Sequence, residues 1–178
     1  MLIAREKKKE NIAEYILYMW YLEDLLRGLD LDINKVNKQV IASYNVDEAT
    51  AKEIYDWYDN LIEMMKREHL EKSGHLQVVK NNVDELTELH RFLLQKAGDP
   101  LYRQLVMTAS ANLADFRVLS SAVEYVSDAE LALNALYADL LLKLQRKEIS
   151  ASTHQAMETF SKMIAYLSSK YKQIEEEN

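Results

Sequence analysis

The sequence predicts an all-α fold, a compact multi-helix bundle of about seven helices in a single helical domain covering residues 1–178. Three observations predict it. Only three Gly and one Pro occur in the chain, too few breakers for a sheet protein with its many turns. Leu, Ala, Glu and Lys, all good helix formers, are abundant. Apolar residues recur three and four positions apart along most of the length, the spacing of one helix face. Loops are short, no Pro/Gly/Ser linker divides the chain, and no internal repeat marks a solenoid.

The first helix is predicted from about Glu6 to Leu29. Within it, NIAEYILYMWYLEDLLR places Tyr15, Met19, Leu22 and Leu26 on one face, with Ile12 and Leu29 at its margins. Trp20 falls off that face and Tyr21 almost opposite, so the aromatics form one wall of a core rather than a cage. The uncharged run from Tyr15 to Leu22 is eight residues long, bracketed by Glu14 and Glu23. A spanning helix needs about 20 apolar residues. No small-residue cleavage pattern follows, so neither a membrane segment nor a signal peptide is expected. Glu23 and Arg27 stand at i,i+4 and predict an ion pair at the edge of the apolar stripe.

A short second helix is expected from Asp32 to about Tyr44, on the spacing of Ile33, Val36 and Val40. The third starts near Asn45, where Asn45 and Glu48 have capping-box spacing, and ends before Ser73-Gly74. Its acids, Asp56, Asp59 and Glu63, have the residue types of a metal site or a general acid–base pair. They share their face with Lys52, Lys66 and Arg67, opposite Ile54, Trp57, Tyr58, Leu61 and Met65. A solvated face with Lys52–Asp56 and Glu63–Arg67 pairs is the reading that follows.

The fourth helix spans about Leu76 to Lys96 and stops at Gly98. His90 falls inside its stripe of Val79, Val83, Leu86, Leu93 and Leu94, which predicts a core histidine holding a hydrogen-bond partner. In "GDP", Asp99 is a natural N-cap with Pro100 at the first helical position, opening a fifth helix to about Val123. This helix carries the small residues Ala109, Ala111, Ala114, Ser120 and Ala122, and Asn112 on its apolar stripe. Ser127 and Glu130 open the sixth helix at Asp128. Its leucines and alanines make apolar faces on two nearly opposite sides, so it is expected between neighbours, with Asn134 and Asp139 the polar groups to be enclosed. A polar cluster of His90, Asn112, Asn134 and Asp139 is one arrangement this permits. The last helix begins near Ser150 to Ser152 and ends in Glu175, Glu176 and Glu177.

The formal net charge of −7, with a pI near 5.2, argues against broad nucleic-acid binding, which needs a dense basic face. The basic run of Arg5, Lys7, Lys8 and Lys9 reads as a solvated helix start. Cys is absent, so there is no disulfide framework or thiolate site. No Glu-x-x-His motif of the di-iron bundles occurs, and His69, His75, His90 and His154 lack metal-binding spacing. No glycine-rich phosphate loop and no Ser triad pattern is present. No catalytic residue, metal or cofactor is therefore predicted. The weak ligand-contact candidates are His90, Glu23 and Arg27.

Three stretches, NIAEYILYMWYLEDLLR, SGHLQVVKNNVDELTELH and NALYADLLLKLQRKEIS, resemble an uncharacterised all-helical family of Bacteroidetes proteins, a domain of unknown function. The resemblance runs over nearly the whole chain. It implies a cytoplasmic helical domain and carries over no catalytic or binding residue.

The leading functional expectation is a non-enzymatic interaction or structural protein, with a protein partner or self-association as a homodimer through an apolar helix face. The alternative is a small-molecule binder with a pocket walled by aromatics of the first and third helices and by His90. An enzyme would require two or more of His69, His75, His90, Asp139 and Glu23 to meet in one concavity.

Overall fold

A computed structural model describes residues 2–120 and 126–177, except for the side chains of residues 2, 3 and 5. Among the described residues there are eight α-helices, one 3-10 turn and no strand. The helices are α1 (Leu2–Glu10), α2 (Ile12–Gly28), α3 (Ile33–Gln39), α4 (Glu48–Arg67), α5 (Gln77–Gln95), α6 (Pro100–Leu119), α7 (Asp128–Leu144) and α8 (Ala151–Glu177). The 3-10 turn, Ile41–Ser43, follows α3 and ends the second predicted helix early. The part of the fifth predicted helix that reaches Val123, with the small residue Ala122, lies outside the described residues.

The first predicted helix is two. Asn11 sits extended, with φ −153°, and its side chain accepts the backbone N–H groups of Ala13 and Glu14. An Asn that satisfies the orphan donors of a new helix start ends the old helix. Lys7 meets Glu14 at 3.0 Å and the Lys8 ammonium lies 5.7 Å from the Tyr15 ring centre, tying α1 to α2 across the break. The start of α4 also moves: Asp47, not Asn45, caps it, accepting the N–H of Thr50 at 2.9 Å and its hydroxyl at 2.7 Å. Asp99 caps α6 through Tyr102 N, and Ser127 caps α7 through Glu130 N, at the positions expected.

α7 and α8 form the centre, each packed against the other and against α2, α5 and α6. In α7 the first half carries the burial, with Ala129, Leu131, Ala132, Leu133 and Ala135 enclosed, while Leu144 is exposed. α2 is the more thoroughly enclosed helix. Trp20, placed off the apolar face by the wheel, is buried together with Tyr15, Ile16, Met19 and Leu22, because α7 and the segment before α5 cover that side. α4 packs chiefly on α3 and the 3-10 turn. Among the described residues no helix is long and apolar enough to cross a membrane.

Candidate functional site: an apolar groove and a buried polar knot

An open groove of about 840 Å³ is bounded by α1, α2, α4, the start of α5 through Val78, and the end of α8. Ile12, Tyr15 and Met19 come from α2, and Trp57, Leu61 and Met64 from α4. These are side chains at i,i+3, i,i+4 and i,i+7, so each helix offers one continuous stripe. The rim is charged with both signs: Glu6, Lys8, Lys9 and Glu10 from α1, and Lys172, Glu175 and Glu176 from α8. Tyr171 completes the α8 side and is anchored by donating its hydroxyl to Glu85 at 2.6 Å. Trp57 is held edge-on to the buried Tyr58, 5.1 Å between ring centres, and the Tyr58 and Tyr44 hydroxyls lie 3.3 Å apart. Burial, then the neighbouring Tyr44 and Tyr21, push the Tyr18 phenol up to about 12. Tyr15 is raised by burial first and by Glu23 second.

The predicted Glu23–Arg27 pair is absent. Glu23 is completely buried and spends both oxygens elsewhere: Oε2 meets His75 Nδ1 at 2.6 Å and Oε1 accepts Leu76 N at 3.0 Å. Leu76 precedes α5, so Glu23 supplies from α2 a cap that Leu76 cannot supply from its own side chain. Glu68 does the same for Gln77 N at 2.7 Å. Arg27 turns instead to Asp24 at 2.7 Å and donates to the carbonyls of Leu70, at 2.9 Å, and Gly74. His75 stacks on Trp20 with ring centres 4.8 Å apart, Trp20 meets Tyr137 edge-on, and the Tyr137 hydroxyl donates to Asp24. The knot thus joins α2, α7 and the segment entering α5.

The structure brings some predicted residues together and keeps others apart. Glu23 and His75 meet, but neither lines the groove. His90 is buried, as its stripe requires, with Nδ1 2.7 Å from the Tyr102 hydroxyl; it does not line the groove. Burial holds the His90 imidazole below its ordinary pKa, Asp128 opposing and Arg91 reinforcing the shift. Tyr102 stacks on Tyr166, whose hydroxyl donates to Asp99 at 2.8 Å. His75 precedes α5, whereas His90 lies about 20 Å along the axis from the first residue of that helix, and His69 is exposed just after α4. His90, Asn112, Asn134 and Asp139 do not bond to one another among the described residues: Asn112 donates to Thr159 and Asp139 takes Lys143. On α4, Lys52–Asp56 forms at 3.4 Å, whereas Glu63 takes Lys66 rather than Arg67. His75 lies in the loop before α5, and the Gly74 before it and the helix start after it are the sequence signal that its segment is fixed.

Eight helices among the described residues, with a two-signed, aromatic-walled groove between them, define an all-helical protein. The chain belongs to the family described as Domain of unknown function (DUF4924), whose model matches residues 1–178. No curated protein and no solved structure matches it.

Proposed function

We propose that this protein is a non-enzymatic interaction protein that receives an amphipathic helix of a partner protein in the groove between α1, α2, α4 and α8. The observation that carries this reading is the lining: an apolar floor of Ile12, Tyr15, Met19, Trp57, Leu61 and Met64 under a rim of Lys and Glu. Helix-in-groove recognition uses such a floor for anchors at i, i+3, i+4 and i+7, and the rim for orientation. Met19 and Met64 add adaptable side chains of the kind common at binding surfaces. On the resemblance to Bacteroidetes proteins we place this role in the bacterial cytoplasm.

A second reading, a small-molecule binder, has its own support in the groove's volume, which falls in the range of roughly 300–1,000 Å³ of ligand pockets. Two of its expected walls, the aromatics of the first and third predicted helices, do line the groove; His90 does not.

Native mass spectrometry of protein freshly isolated from its own host separates these readings. A second polypeptide that is lost in Met64→Lys and Val78→Lys, and kept in Met107→Lys on α6, supports the partner-helix reading. A retained small mass lost in the same two variants supports the ligand reading instead. A homodimer that is insensitive to both substitutions removes the groove from the association.

A further inference from the structure

A second, smaller cavity of about 260 Å³ lies between α6, α7 and the start of α8, apart from the groove. Phe116 and Leu119 of α6, Ala135, Ala138 and Leu142 of α7, and Met157 of α8 give it apolar walls, Ser120 and Thr153 add hydroxyls, and it opens to solvent at the exposed Leu119 and Ala138. Among the described residues one charged side chain lines it, Asp139, which is only 7% exposed. Its Oδ2 is paired with Lys143 Nζ at 2.7 Å, but that lysine is itself largely in solvent. Oδ1 is buried and has no hydrogen-bond partner.

A carboxylate only accepts, so whatever completes Oδ1 must donate. Two further buried atoms lack a partner, Trp20 Nε1 and Ser168 Oγ, but neither Trp20 nor Ser168 lines either cavity. Among the described residues, Asp139 alone combines an unpartnered atom with the wall of one of these two concavities. A buried anion whose single counter-charge is held outside in water favours a cationic donor over a neutral one. The apolar part of the wall fits hydrocarbon, and the ring of Phe116 is a surface that attracts ammonium groups. At about 260 Å³ the concavity has room for a ring with a short tail.

We propose that this cavity is a binding site for a small organic cation, an alkylammonium or arylalkylammonium, with Asp139 as its anionic anchor. The site is independent of the groove and of the partner reading.

The test is calorimetric titration of the full chain with butylammonium and phenethylammonium chloride, each set against its neutral analogue, butanol and 2-phenylethanol. At least one ammonium is expected to bind about tenfold or more tightly than its alcohol, the worth of a charge-assisted bond. Asp139→Asn removes that preference and leaves alcohol binding unchanged. Ala138→Phe, which fills the cavity and leaves the carboxylate in place, abolishes binding of both; it keeps the test decisive if Asp139→Asn fails to fold. Equal affinity for ammonium and alcohol, an ammonium preference that survives Asp139→Asn, ammonium binding that survives Ala138→Phe, or no binding of either ammonium at millimolar concentration would each overturn the proposal.

Discussion

Glu23 and Asp139 are both carboxylates enclosed by the bundle, yet their surroundings assign them opposite work. Glu23 has both oxygens taken, one by an imidazole and one by the amide of Leu76, the residue before α5. Asp139 has one oxygen on an exposed lysine and one on nothing, beside a cavity. The first is a bracket whose removal strands its partners. The second is a charge the fold tolerates rather than uses. Burial alone therefore says little about what an ionisable group does; the tally of its partners says more.

The largest expected effect sharpens that contrast. Glu23→Ala should lower unfolding free energy by about 3 kcal/mol, since two bonds to a buried charge are lost and Leu76 N is left without a partner. A fall in the urea midpoint at constant slope checks it. Asp139→Leu should leave stability within about 1 kcal/mol of the parent or raise it, because it strands only an exposed lysine. Equal losses for the two variants would erase the distinction.

His90 is the intermediate case. From sequence, His90→Leu would be expected to change stability little or to raise it, but Tyr102 alters that expectation. Its completely buried hydroxyl would lose its partner, at a cost of about 1–3 kcal/mol. His90→Leu combined with Tyr102→Phe should recover most of the loss in the same melts. The pH dependence has a definite sign. The folded pKa of His90 lies below its ordinary value of 6.5, so its neutral-state contribution is fully present above that pH. It is lost as pH falls toward the folded value, where the unfolded chain binds the proton more readily. Wild-type thermal midpoints should drop on acidification below pH 6.5, and the double variant should drop less.

Two smaller effects probe the segment that presents His75 to Glu23. Gly74 has φ +92°, and a Cβ there would meet Leu70 Cδ2 at 3.0 Å, so Gly74→Ala should destabilise by about 1–2 kcal/mol. His69, five residues earlier, also has positive φ, at 57°, with its side chain exposed. His69→Gly relieves that conformation and should raise stability by up to about 1 kcal/mol, or about 2–4 °C in melting temperature. The same sign for both would mean that the segment's conformation is not what positions the knot.

Features written within one turn of chain were legible in the sequence. Asp99-Pro100 and the Ser127/Glu130 pair mark their helix starts because a cap and its amide lie three residues apart. Asn11 was overlooked because Ile12, Tyr15 and Met19 continue an unbroken apolar period from the cap onward, and Glu14 three residues after it was the available clue. Glu23–Arg27 failed for a different reason. Helical spacing offered each a partner, but Leu70, Gly74, His75 and Leu76, more than forty residues away, offered better ones. The groove's aromatic walls could be anticipated from two amphipathic helices; which helices face each other across it could not. The cavity at Asp139 depends on how three helices meet, and no local pattern encodes it.

The position of α8 at the centre also bears on how the protein is made. A ribosome delivers this helix after every helix it packs against, and its 27 residues take roughly 1–5 s at 5–20 residues per second. Until then α2, α5 and α6 meet only α7 at the centre, and the faces of all four that α8 covers stay open. The bundle must therefore close late, and a nascent chain stalled before Ala151 presents those apolar faces to chaperones and proteases instead of to its own last helix.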